Sequence, residues 1–312
     1  MTIPEARGRA KTAVITRTKN RQILLKRAVA SVLDQSDRDF VHVIINDGGE
    51  KAELESFIDA YRDDYAGRLL LIHNNSSLGM EAASNMGIRA SDSRYVVIHD
   101  DDDSWDPEFL SKMTAFLERE CPVRNLAGVV CYSTSVQEEI VADSVKEHSR
   151  HSIASLVRDL TLWRVCAGNC FPPISFLYKR EVYEKTGGLY REDLPVQGDW
   201  EFNLRFMQHY DIGILKEHLA FYHKRIGATS VKGIYSNSIS VADQHEFIVT
   251  HLRNEFLRKD LAEGRLGLGY LMNMNPLLLR LEQISCRMMD TWLKAKAPLE
   301  TMQRWWCRVR GK

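Results

Sequence analysis

The sequence predicts an α/β fold: a mostly parallel central sheet with helices on both faces, followed by a helical C-terminal extension. Three observations predict it. Short β-branched runs alternate with amphipathic helical patterns from Thr12 to Leu117. The connections between them are short, as in parallel sheets covered on both faces. The polar clusters Thr16–Arg21, Asp47-Gly48, Asn74–Gly79 and Asp100–Asp103 each follow a strand, which places them where open α/β sheets bind ligands.

The elements follow in order. Residues 12–16 form the first strand and run into the polar turn Arg17–Arg21. The next helix carries Leu24, Leu25, Ala28, Val29, Val32 and Leu33 on one face. A second strand covers 40–45, a helix 53–65, a third strand 69–73, and a helix 80–90 that bears Asn85 and Arg89. The fourth strand, Tyr95–Ile98, meets four aspartates. Pro107, with Ser104 or Asp106 as N-cap, then starts a helix with Phe109, Leu110, Met113, Phe116 and Leu117 at helical spacing. From Leu126 the pattern changes to a strand over 126–132 and a loop or hairpin over 137–152. A strand over 174–178 leads to a helix over 180–185, stopped by Gly187-Gly188. A loop over 194–198, a helix over 199–209 and short strands over 212–215 and 219–223 complete this part, and beyond Asn237 the chain reads as helical.

Composition excludes several classes. A formal net charge of zero over 312 residues gives no global basic surface to argue for nucleic acid. No apolar stretch is long enough to span a bilayer, and the polar N-terminal tail 1–11 lacks the apolar core of a secretory signal. Of the six cysteines, Cys166 and Cys170 are the one close pair, with no second pair at zinc-ligand spacing. That usage reads as reduced thiols of a cytoplasmic protein. Neither glycine-rich phosphate loop, G-x-G-x-x-G or G-x-x-x-x-G-K-[ST], occurs. A diphosphate would therefore be held by metal and side chains.

The candidate chemistry lies in the polar clusters. Asp100, Asp101, Asp102 and Asp103 repel one another unless a cation compensates them. Their hard oxygens suit a divalent ion that keeps positions open for phosphate oxygens; the bland reading is a solvated loop with capping aspartates. Asp47 before Gly48 fits either a simple turn or an acceptor for a nucleobase N–H. Arg17, Arg21 and Arg89 are solvated charges or, in a cleft that holds four carboxylates, phosphate partners. Asp199, after Gly198 at a helix start, reads by itself as an N-cap. His223 fits a metal ligand, a phosphate donor or a surface histidine. Trp163 and Trp200 are core or rim aromatics, or flat platforms for a sugar.

Several of these pieces occur in a telling order: Thr16-Arg-Thr-Lys-Asn-Arg21, Ser31-Val-Leu-Asp-Gln35, Val43-Ile-Ile-Asn-Asp-Gly48, Leu78-Gly79 with Asn85-Met-Gly-Ile88, and the aspartate run with Trp105 and Pro107. Together they resemble the nucleotide-sugar-binding half of family 2 glycosyltransferases, which have the Rossmann-like GT-A fold. Gly187-Gly188 followed by Gly198-Asp-Trp-Glu-Phe-Asn-Leu-Arg205 is similar to that family's acceptor-side motif. The resemblance implies a catalytic domain over 12–236, divided into a nucleotide-sugar half 12–125 and an acceptor half 126–236, and an extension over 237–312.

It implies an activity too: metal-dependent, inverting transfer from a nucleoside diphosphate sugar to a hydroxyl of a glycan or lipid-linked glycan, in surface-polysaccharide biosynthesis. UDP stands ahead of dTDP and GDP as the nucleotide, and Mn2+ or Mg2+ is the cofactor. Thr16, Arg21 and Asp47 would line the nucleoside pocket, with Arg17, Thr18, Asn85 and Arg89 also on the donor. Asp100 and Asp102 match the ends of the D-x-D metal and ribose motif, with Asp102 on the metal and Asp101 on the donor. His223, or Arg225, would meet metal or diphosphate, and Trp163 and Trp200 the acceptor. Asp199 would be the general base. The family usually has Glu before this Asp; Gly198 stands there instead.

From Arg253 onward Lys and Arg outnumber Asp and Glu, and Leu277–Ile284 and Met302–Arg310 mix apolar, Trp and basic residues. That suits a helix on an anionic membrane surface at the inner face of the cell membrane, or packing on the catalytic domain or on a second copy. Two other functional classes compete. A non-catalytic sugar-nucleotide-binding scaffold has no need of both the aspartate run and Asp199. A nucleotidyltransferase would carry a glycine-rich basic loop after its first strand, and residues 16–21 contain no glycine.

Overall fold

The computed structural model describes residues 9–120, 124–141, 144–158, 160–225 and 242–310, excepting the side chains of residues 242, 243, 275, 290 and 293–310. In chain order the elements are β1 (Ala10–Thr18), α1 (Gln22–Leu33), β2 (Phe40–Asp47), α2 (Lys51–Asp59), α3 (Arg62–Tyr65), β3 (Leu69–Asn74), α4 (Met80–Arg89), β4 (Ser93–Ile98), β5 (Ser104–Trp105) and α5 (Phe109–Glu120). Then follow β6 (Leu126–Val141), β7 (Ser144–Ser152), α6 (Leu162–Ala167), β8 (Phe176–Lys179), α7 (Gly198–Met207), β9 (Asp211–Arg225), α8 (Ala242–Ala262) and α9 (Leu268–Arg310).

The strands form one mixed sheet in the order β3-β2-β1-β4-β8-β6-β9-β5, with β7 paired to β6. The first four strands are parallel, as the alternating pattern predicts. β1 is their centre, flanked by β2 and β4, and its buried run Ala13–Ile15 is apolar on both faces. Successive side chains point to opposite faces. Val14, Ile44 and Val97 join the core formed with α1 and α5, while Ile15 and Ile45 meet Gly87 of α4. The parallel register sets Thr18 beside Asn46 and Asp47 beside Asn74, so the polar strand ends share one edge.

The second half departs from a parallel pattern. β8 is antiparallel to both β4 and β6, β5 is antiparallel to β9, and β6 runs parallel to β9. The β5–β9 pairing, Ser104 opposite Phe221, carries the end of β9 towards the aspartate run. Some local expectations change. The two short strands at 212–223 are one strand, β9, whose exposed Lys216 and His218 interrupt the apolar pattern where its register with β6 shifts. The helix over 53–65 divides into α2 and α3, and the segment Arg180–Glu184 is 3-10 rather than α-helical. The stretch 137–152 is a hairpin, with β7 almost wholly exposed.

The chain divides into two compact units, one ending at Val249 and one starting at Thr250. The boundary expected at 236/237 lies outside the described residues, as do most of the tail 1–11 and the side chains of Met302–Arg310. In α9 Leu277, Leu278, Leu279, Leu281 and Ile284 are exposed, and no helix among the described residues is long and apolar enough to cross a membrane. Cys131, Cys166, Cys170 and Cys286 are free thiols.

The closeness of α4 to the sheet depends on Gly87. A Cβ there would come within 2.7 Å of Ile45 Cδ1 and 2.8 Å of Ile15 Cγ2. Gly87→Val should lower the stability measured by urea unfolding by about 1–3 kcal/mol, the usual cost of overpacking a filled core.

Candidate active site

Beyond the carboxyl ends of β1, β2 and β4 lies a cavity of about 450 Å3. Arg17, Thr18 and Arg21 reach it from the end of β1, Asp47 from β2, and Asp100, Asp101 and Asp102 from the turn after β4. The start of α4 contributes Glu81, the start of α7 contributes Asp199, and β9 contributes Tyr222 and Arg225.

The aspartates are compensated first by arginines of the chain itself. Arg17 Nη2 donates to Asp100 Oδ1 at 2.6 Å, and its Nη1 to Ser84 Oγ at 2.7 Å. Arg21 spans two carboxylates, donating to Asp101 Oδ1 at 2.8 Å and to Asp102 Oδ2 at 2.9 Å. Thr18 Oγ1 donates to Asp101 Oδ2 at 2.7 Å, and Arg225 donates to Asp102 Oδ2. Burial alone would push the Asp102 carboxyl up, but Arg21 and Arg225 hold it down at about 2. Asp101 is shifted the other way, because burial and its neighbour Asp102 outweigh Arg21. Asp103 turns inward: its Oδ1 accepts from the His223 main-chain N–H at 2.8 Å, and burial with Asp102 and Asp100 nearby raises its carboxyl far above the usual range.

Asp47 has a structural task as well as a place on the cavity wall. Its Oδ1 accepts from Asn74 Nδ2 and Leu78 N, both at 2.9 Å, and its Oδ2 from Ser77 Oγ at 2.7 Å and Gly79 N at 3.1 Å. Burial opposes ionisation, but these donors prevail and keep its carboxyl low. Gly48, at φ +78°, lets that loop approach: a Cβ would stand 2.7 Å from the Ser76 carbonyl carbon.

Asp199 is not the cap of its helix; Gln197 takes that place with φ +66°. Asp199 is half-buried, with Oδ1 accepting from Trp200 N at 2.8 Å and Oδ2 from Asn169 Nδ2 at 2.6 Å. Burial raises its carboxyl, against these two donors and Arg17.

Fit for a divalent metal can be tested on the carboxylates. Among the described residues no cluster of three or more His, Cys, Asp or Glu is arranged around a metal. Arginines occupy Asp100 Oδ1 and Asp102 Oδ2, while Asp100 Oδ2 and Asp102 Oδ1 have no hydrogen-bond partner among the described residues. One or two carboxylate oxygens fit a small hard cation that completes its shell with phosphate oxygens and water.

Other expected site residues are placed elsewhere. His223 is absent from the cavity lining: Nδ1 pairs with Glu138 at 2.8 Å and Nε2 with Ser104 Oγ at 3.0 Å, while Arg225, the alternative for meeting a diphosphate, lines it. Thr16 is fully buried against His42 Nε2 at 2.8 Å. Asn85 clamps the Tyr190 backbone, donating to its carbonyl at 2.8 Å and accepting from its N–H at 3.0 Å. Arg89 pairs with Glu192 on the surface. Trp200 is buried, its Nε1 donating to Val165 O at 2.7 Å, and Trp163 is 89% exposed away from the cavity. Glu81 and Tyr222 are cavity residues that periodicity did not single out. An acid in a helix's first turn reads as a dipole partner, and a half-buried tyrosine as sheet packing.

Comparisons with known proteins point to one family. The model of glycosyl transferase family 2 matches residues 13–187. EpsJ of Bacillus subtilis (strain 168), named an uncharacterised glycosyltransferase, is 24% identical over 266 residues, 82% of this chain and 71% of that protein. WcaA of Escherichia coli (strain K12), whose provisional name is colanic acid biosynthesis glycosyl transferase, is 35% identical over 99 residues, 31% of this chain and 34% of its own length. The structure of S. aureus TarS 1–349 in complex with UDP-GlcNAc is similar in fold, with a TM-score of 0.55 and 18% identity over 70% of this chain and 59% of that one. The chain thus spans about a third of WcaA and three fifths of that TarS structure. With more than half of its length matched by the family model, the chain belongs to glycosyl transferase family 2.

Proposed function

We propose that this chain is a glycosyltransferase that moves a sugar from a nucleoside diphosphate sugar to a hydroxyl of a glycan or lipid-linked glycan, with inversion and with a divalent cation, in the building of a surface polysaccharide. The observation that carries the reading is the meeting of Asp199 with the Arg17–Asp100 and Arg21–Asp102 pairs around one cavity. The nucleotides seen bound to TarS, UDP and UDP-GlcNAc, support a UDP donor ahead of dTDP and GDP, and the name of WcaA supports polysaccharide synthesis.

Each residue has a task in this reaction. Arg17 stays charged, because Asp100, Glu81, Tyr190 and Asp199 together outweigh the effect of burial, and it stands ready to pair with a phosphate. Arg21 and Arg225 fix the Asp102 carboxylate so that its other oxygen is presented to a cation. That cation, Mn2+ or Mg2+, would offset charge on the departing diphosphate as a Lewis acid. Asp199 takes the acceptor proton as the hydroxyl attacks, and Asn169 with the Trp200 N–H aims its carboxylate. Holding donor and acceptor in one cavity supplies the entropic share of the rate.

Thermal-shift titrations with UDP-, dTDP- and GDP-sugars, each with Mn2+, Mg2+ or EDTA, should show stabilisation by one nucleotide class that EDTA removes. No stabilisation of folded protein by any donor would favour the scaffold reading instead. Asp199→Asn should lower kcat by about a hundredfold to ten-thousandfold, the range for a lost general base, while donor affinity measured by calorimetry is kept. Asp102→Asn should lose metal-dependent donor binding; a variant that still binds donor with the same metal dependence refutes the ligand assignment.

The pH dependence has a definite sign. Because burial raises the Asp199 carboxyl, the base is protonated, and inactive, up to a higher pH than an exposed aspartate, and activity should rise with pH through that shifted value. Asn169→Ala removes a donor that favours the ionised form, so the acid limb of the kcat profile should move to still higher pH.

A further inference from the structure

Glu81 stands in the first turn of α4, 5% exposed, and lines the cavity. Among the described residues its carboxylate has neither a hydrogen-bond donor nor an ion pair, although Arg17 acts on it electrostatically. It lies over Gly198, at the start of α7 and next to Asp199. A Cβ at position 198 would collide with the Glu81 carboxyl carbon and come within 2.7 Å of its Cγ. The absence of a side chain at 198 is thus what makes room for the Glu81 carboxylate. Burial pushes this carboxyl up to about 7, opposed by Arg17 and assisted by Asp199, Asp100 and Glu201.

A carboxylate on the cavity wall that no protein donor satisfies keeps its accepting capacity for what reaches it. Something that enters the cavity is expected to satisfy it. A phosphate would be repelled, and no cluster of three ligating side chains offers a metal there among the described residues. Neutral O–H or N–H donors fit. The position between Arg17–Asp100 on the donor side and Asp199 is where the transferred sugar must lie if the nucleotide-sugar reading holds. We propose that Glu81 grips that sugar, its carboxylate accepting hydrogen bonds from the ring hydroxyls or an amide N–H, and so sets which sugar the site takes. The inference rests on the donor-site reading above. Gly198 is the positioning partner that keeps the space clear.

The test uses the full chain and isothermal calorimetry with matched pairs: UDP and UDP-N-acetylglucosamine, UDP and UDP-glucose, GDP and GDP-mannose, dTDP and dTDP-glucose. For the nucleotide that wild type binds, Glu81→Ala should weaken the nucleotide sugar by about tenfold to a hundredfold, as for loss of hydrogen bonds to a charged group, and leave the nucleoside diphosphate unchanged. Alanine keeps the helical propensity of α4. Gly198→Ala is the second variant: it retains the Glu81 charge but displaces it, and should give the same selective loss. A merely structural Glu81 would instead weaken the diphosphate and its sugar alike, or neither, and either result overturns the proposal while leaving the donor site standing. Wild-type protein that binds no member of the panel overturns the donor reading and this inference with it.

Discussion

The structure around the cavity depends on neutralising carboxylates that the chain has forced together at the end of β4. Asp100, Asp101, Asp102 and Asp103 are consecutive, and the last three are at least nine-tenths buried. In a low-dielectric setting such a group cannot all be ionised without nearby positive charge. The chain divides the problem. Arg17 and Arg21 arrive from the end of β1, Arg225 from the end of β9, and Arg27 of α1 donates to the Asp102 carbonyl. Asp103 is relieved differently, by the His223 main-chain N–H, while burial and its neighbours disfavour its charged form. The result is a turn in which Asp102 is strongly ionised between neighbours that are less so.

This division explains the sheet's second half. β9 must run past β6 and pair with β5 for Arg225 and the His223 N–H to reach the aspartates. Beneath them Glu138 of β6 joins Arg27, His223 and Arg225, so the layer under the turn is itself an ion-pair network. A buried network of this kind contributes little stability for its size, but each member fixes the others in orientation. Geometry at the cavity therefore depends in part on β6, which does not line it.

Much of this was legible in the chain. The β1–α5 alternation, the common edge of the polar clusters and the apolar helix faces follow from period and from the needs of a doubly covered sheet. Arg17, Thr18, Arg21, Asp47 and Asp100–Asp102 line one cavity because each stands at or just after the end of a strand, and strand ends converge whatever the details of packing. The sequence could not show that Asn85 holds the Tyr190 backbone, because a polar helix residue looks alike whether it faces a ligand or clamps a backbone. Trp200 looked like a platform, yet its indole is core with a satisfied N–H.

The sequence by itself determined the α/β class, the parallel character of the first four strands and the chemistry of the strand ends, because these depend on local period and on residues adjacent in the chain. Only the tertiary structure decided which charges pair. Arg225 meets Asp102 across 123 positions, and Glu81 fills the space left by Gly198 from another helix. Such partnerships are set by how separate elements pack. No window along the chain contains both members.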